Sequence, residues 1–179
     1  MPGLFSPQAA DGLRVDALTG RISLRDIVNP WSATDNCAGC ALAVDALLRG
    51  EAPALTDDVA REVTTWAQLD AALGVGSGEV LPATLTQAIR AIRPEERAVA
   101  FVGDGARWHA FNIARVNGCG YIFDGQMGII TGAPESYLRA VGYQHLDRIL
   151  LAITGPGVAL PQAARRALAG YASQGVGLS

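Results

Sequence analysis

The chain contains no lysine: all 14 basic residues are arginine, set against 17 acidic residues for a net charge of −3. These arginines form no concentrated basic face, which leaves out a nucleic-acid footprint. The missing lysine is read as GC-rich coding rather than as protection from lysine modification in a foreign cell. Cysteine is scarce as well. Cys37, Cys40 and Cys119 are an odd number and close no disulfide framework, and a chain of 179 residues is too long to need one. The thiols are therefore expected to be free, with at least one available for chemistry. No apolar run reaches the roughly 18 residues that a membrane helix requires. The opening Met-Pro-Gly-Leu-Phe-Ser-Pro has no basic segment leading into an apolar one, so no signal peptide is expected. Passage out of a cell would then fall to another machine or to a larger parent chain.

What is present suits one domain, since half of the residues are hydrophobic. Residues 1–30 mix Gly, Pro and polar residues and are expected to form an N-terminal arm. Residues 31–155 form the domain proper, and the Ala-rich 156–179 a terminal tail or helix. Asp35 and Asn36 are good N-cap residues and open the first clear helix, with Cys37, Cys40, Ala41, Val44 and Leu48 at helical spacing on one face and Gly50 as its stop. Thr56-Asp57-Asp58 marks a second helix start, with Val59, Val63 and Trp66 as its buried stripe. Gly74 to Gly78 is a break whose spacing is not that of a phosphate loop. A third helix covers 83–92 and stops at Pro94. Apolar runs at 98–102, 108–116, 119–123 and 146–153 then read as strands, with a helical turn at 135–141. Helices first and an antiparallel sheet after them make an α+β fold.

Asn117-Gly118 is a hairpin turn. It pairs residues whose numbers sum to 235, which brings His109 and Asp124 to the same end of one hairpin. An aspartate there accepts the imidazole Nδ1–H and leaves Nε2 for a thiol. It also competes for a plainer role, as the acid that starts an Asp-Gly turn. Cys37 sits at the mouth of a helix, where the dipole favours a thiolate. The plainer reading there is a packed structural cysteine. Cys40 lies a turn deeper, where the dipole has faded, and is the weaker nucleophile. Trp108 flanks the base and is expected to shield it from water. His145 is read as a surface or packing residue.

The run Asn36-Cys37-Ala-Gly-Cys40-Ala-Leu-Ala-Val-Asp45 resembles the papain-fold toxin domains of bacterial polymorphic toxins. So does the block Trp108-His109-Ala110-Phe111-Asn112-Ile113, followed by Asn117-Gly118 and Phe123-Asp124-Gly125-Gln126. The likeness spans roughly 36–128. It implies a papain-like cysteine enzyme with Cys37 as nucleophile, His109 as base and Asp124 as its orienter. It further implies hydrolysis of glutamine side-chain amides in a target protein, a cognate immunity protein, and delivery into the cytoplasm of a target cell by a specialised system or parent chain. Gln126 would be a polar helper. The Cys37 N–H is the expected oxyanion donor, and Asn36 either adds a second or orients the loop. The same triad also suits a cysteine protease or a transglutaminase, and a non-catalytic binding module of papain shape is the other class. No cofactor or metal is implied: Cys37, Cys40, His109 and Cys119 supply zinc-type ligands, but Cys119 lies at the end of the hairpin away from His109.

Overall fold

In a computed structural model the described residues are 21–30, 32–51, 65–74 and 84–173. The helix start expected at Thr56, with Val59 and Val63, lies outside them, as does the Gly-rich stretch after Gly74. The chain runs α1 (Leu24–Val28), α2 (Cys37–Leu48), α3 (Trp66–Leu73), α4 (Leu85–Ala91), β1 (Glu96–Gly103), β2 (Trp108–Val116), β3 (Cys119–Asp124), β4 (Ile129–Thr131), α5 (Pro134–Ala140), β5 (Arg148–Pro156) and α6 (Gln162–Ser173). The strands form one five-stranded sheet in the order β4-β3-β2-β1-β5, every pairing antiparallel. The fold is α+β. Among the described residues no helix is long and apolar enough to cross a membrane.

Local chemistry accounts for most boundaries. Thr65 with Gln68, and Thr84 with Gln87, form reciprocal capping boxes that start α3 and α4. Gly74 closes α3 in the left-handed region, at φ +66°. Asn117 and Gly118 both have positive φ, +52° and +82°, the pair of angles a type I′ hairpin needs. The register they impose runs from Val116↔Cys119 to Asn112↔Phe123, as the sum of 235 requires.

The sheet is buried on both faces. Toward one side Ala114, Val116, Tyr121 and Phe123 pack with α1, α2 and α6, while Val99 and Ala110 meet Cys37, Ala38, Ala41 and Leu69. Toward the other, Ala98, Ala100, Val102, Phe111, Ile113 and Ile122 pack with α4 and α5. Double burial explains why the strands read as continuous apolar runs instead of alternating ones. The single apolar face expected for α2 is widened for a similar reason. Cys40, Val44 and Leu48 enter one cluster and Cys37, Ala38 and Ala41 another, so the helix is enclosed by the sheet and by its helical neighbours.

The segment expected as an arm takes part in this core: Ile22, Leu24 and Val28 are buried against α2. Val158, Leu160, Ala164 and Leu168 of the Ala-rich tail are buried in the same cluster. An ion pair ties α2 to the sheet. Arg97 Nε donates to Asp45 Oδ1 at 3.2 Å with both side chains buried, and the Arg97 guanidinium also reaches the carbonyls of Thr154, Pro156 and Gly157.

Candidate active site

Pairing of β2 with β3 stops at Asn112↔Phe123, so His109 and Asp124 lie just past the last paired residues. There the two strands are joined by side chains. His109 Nε2 is 2.7 Å from Asp124 Oδ2, and the Cys37 thiol is near enough to act on the same imidazole. His109 and Asp124 thus meet, as the hairpin register required, with Cys37 beside the ring. The ring is turned the other way from expectation: Nε2 faces the aspartate, which leaves Nδ1 for the sulfur. The reason is where the Asp124 turn sits. Asp124 is itself held within the β3–β4 turn, and a ring leaving the end of β2 reaches it with its distal nitrogen.

Asp124 is fully buried and divides its oxygens between two tasks. Oδ1 accepts the Met127 N–H at 3.0 Å, the turn role anticipated for an Asp-Gly pair. Oδ2 faces His109 and also accepts the Tyr137 hydroxyl at 2.8 Å. Gly125 allows α1 and α2 to come close, since a Cβ there would sit 2.5 Å from Val28 Cγ2, 2.9 Å from Val44 Cγ2 and 3.3 Å from Cys40 Cβ.

Burial by itself pushes the His109 imidazole down, but the hydrogen bond to Asp124, with that to Cys37 and the charges of both, outweighs it and raises the group to about 9. At neutral pH the ring carries its proton. Cys40 shows the opposite situation. Burial, with the charges of Asp124 and Cys37 nearby, pushes its thiol up to about 12, and it stays protonated. Cys119 is exposed at the far end of the hairpin, opposite Val116, and takes no part.

Cys37 is the first residue of α2. The helix ladder begins with Cys40 N donating to Asn36 O at 2.9 Å, so the N–H groups of Cys37, Ala38 and Gly39 precede it and present the positive end of the dipole. Asn36 takes the second of its two anticipated roles. Its carboxamide donates to Asn29 Oδ1 at 3.1 Å and accepts from Gln126 Nε2 at 3.2 Å, and it does not cap the helix through its side chain. Asn29, fully buried, also donates to the Gln126 carbonyl at 3.1 Å. Asn29, Asn36 and Gln126 thereby pin the mouth of α2 to the turn that carries Asp124. Gln126 meets Asn36 through its side chain and Asn29 through its carbonyl.

Trp108 stacks on Phe101 at 4.9 Å and packs in the cluster of Cys37, Ala38 and Ala41. It walls the nucleophile's side rather than the base. Asn112 is fully buried, and its carboxamide has no partner among the described residues. His145 is exposed. The sequence reading missed Tyr137 and Asn29. A tyrosine within a short amphipathic helix carries no signal of its hydroxyl's partner, and Asn29-Pro30 signals only a turn.

Among the described residues no group of His, Cys, Asp and Glu side chains is placed to hold a metal ion. No protein-family model, curated protein or solved structure matches the chain.

Proposed function

We propose that this chain is a cysteine-dependent amidohydrolase that converts glutamine side chains of a target protein to glutamate, acting as a bacterial toxin or effector of papain-like type. The observation that carries the reading is a buried imidazole bonded to Asp124 and set beside a thiol at the mouth of a helix. A protonated ring at neutral pH is the complement of a thiolate, and Cys37 stands as the first residue of α2.

The Cys37 thiolate attacks the carboxamide carbon, and the resulting oxyanion is met by N–H groups of the first turn of α2. The His109 imidazolium then gives its proton to the departing nitrogen, and ammonia leaves with a thioester behind it. Neutral His109 takes a proton from water, which attacks the thioester carbon. The C–S bond breaks, glutamate departs, and the thiolate–imidazolium pair is restored. Asp124 holds the ring in one orientation through both steps, and Tyr137 and the Met127 N–H hold Asp124.

The test is mass spectrometry of candidate target proteins after incubation with the enzyme. A gain of about one dalton at a glutamine, absent with Cys37→Ala, is the expected result for thioester hydrolysis by water. Cleaved chains instead make the same triad a protease, and cross-linked or amine-bearing glutamine a transglutaminase. Iodoacetamide is expected to label Cys37 ahead of Cys40 and Cys119. Equal, slow labelling of all three together with unaltered targets would leave a binding module and overturn the enzyme reading.

A further inference from the structure

Two aromatic rings flank His109: Phe111, two residues along β2, with centroids 6.0 Å apart and planes at 34°, and Tyr143, from the turn after α5. The Tyr143 centroid is 6.5 Å from that of His109, with the planes 23° apart. Tyr143 is buried, and its backbone N–H donates to the Leu138 carbonyl at 2.8 Å. The Arg107 guanidinium lies over the same phenol ring, with Cζ 5.0 Å from its centroid. Arg107 is fixed in turn, donating to Asp104 Oδ2 through Nε and Nη2 at 3.2 and 2.8 Å and to the Gly142 carbonyl at 2.9 Å. The loop between β1 and β2 therefore clamps the turn after α5, and the clamped ring lies against the imidazole. The same α5 delivers Tyr137 to Asp124.

We propose that Tyr143 is a positioning residue for the base: held by Arg107, its ring pairs with the His109 ring and stabilises the protonated imidazole. The inference rests on the triad reading above. An aromatic face attracts a cation through its quadrupole, more strongly where water is excluded, and His109 is itself buried. The charged and titratable groups facing His109 are Asp124 from β3, Cys37 from α2 and, through Asp124, Tyr137 from α5. Arg107 and Asp104 act on the Tyr143 ring. The Tyr143 phenol is raised above its ordinary value, first by burial, and the Cys37 charge contributes to the rise. It remains a neutral ring beside the imidazolium.

Two measurements that need no glutamine substrate test this: NMR titration of the His109 imidazole, with His145→Gln used for assignment, and the pH dependence of Cys37 alkylation by iodoacetamide. Tyr143→Phe keeps the ring face and is expected to leave both profiles in place. A ring-fluorinated phenylalanine installed at position 143 keeps the shape but drains the quadrupole. It is expected to lower the His109 titration and the upper limb of alkylation by about half a pH unit relative to Tyr143→Phe. Tyr143→Leu is expected to shift both at least as far, provided circular dichroism shows it folded; the fluorinated chain decides the matter if it is not. Coincident profiles for the fluorinated and Tyr143→Phe chains, with wild-type Cys37 still reacting fast, overturn the role of Tyr143 and leave the triad standing. Slow wild-type Cys37 with His109 titrating in the ordinary range removes the triad and this role together.

Discussion

Asp124 carries the most tightly constrained carboxylate of the site, and its partners make separable predictions. Tyr137→Phe deletes one of two bonds to Oδ2 without opening a cavity. It is expected to cost about 1–2 kcal/mol of stability, read by chemical denaturation, and to slow Cys37 alkylation by loosening the aspartate that orients the ring. His109 sets the pH behaviour. Its value in the folded chain is raised from an ordinary 6.5 to about 9. Its charge therefore contributes stability in full below about 6.5, and that contribution is lost as pH rises through about 9. In the proposed mechanism the imidazolium is also the proton donor to the leaving ammonia. Single-turnover acylation is expected to hold through neutral pH and to fall as pH passes about 9, measured by stopped-flow ammonia release.

At the scale of elements, α2 does two things at once: its first turn presents Cys37 and its body is enclosed by the core. Mid-helix Asp45 is the exception in that core, and Arg97 matches it. Arg97→Ala leaves the buried Asp45 carboxylate with the Thr154 hydroxyl and the more distant, exposed Arg49 at 3.7 Å, and is expected to destabilise the fold by about 3 kcal/mol, read from thermal or denaturant melts. Gly125 is the matching contact at the other end of the helix. Gly125→Ala drives a methyl into Val28 and Val44 and is expected to cost about 1–3 kcal/mol. It would do so while pushing the Asp124 turn away from α2, so alkylation of Cys37 should slow along with the loss of stability.

Across the whole molecule, the core reaches beyond the span over which the sequence resembles a family. Ile22, Leu24 and Val28 before it, and Val158, Leu160, Ala164 and Leu168 after it, share one cluster with α2. A chain ending at residue 156 loses four buried apolar side chains from that cluster. At about 1–3 kcal/mol each, this approaches the whole stability of an ordinary domain. The truncated chain is expected to melt broadly or not to fold, as followed by circular dichroism and size-exclusion chromatography. A sharp melt close to that of the full chain would show α6 to be dispensable.

What could be read without coordinates was whatever depends on near neighbours in the chain. The stop at Gly50, the Asn117-Gly118 turn and the register it sets are local, and turn geometry propagates along a hairpin residue by residue. That register was enough to bring His109 and Asp124 to one end. The remainder needed packing between distant segments. Burial of the sheet on both faces erases the alternation that would tell its sides apart, so nothing local shows that α5 delivers Tyr137 to Asp124 or that Asn29 locks Asn36 to Gln126. The orientation of the imidazole belongs to the same class. Which nitrogen meets the carboxylate depends on where the β3–β4 turn sits relative to the mouth of α2, and the helices packed around that turn set its position.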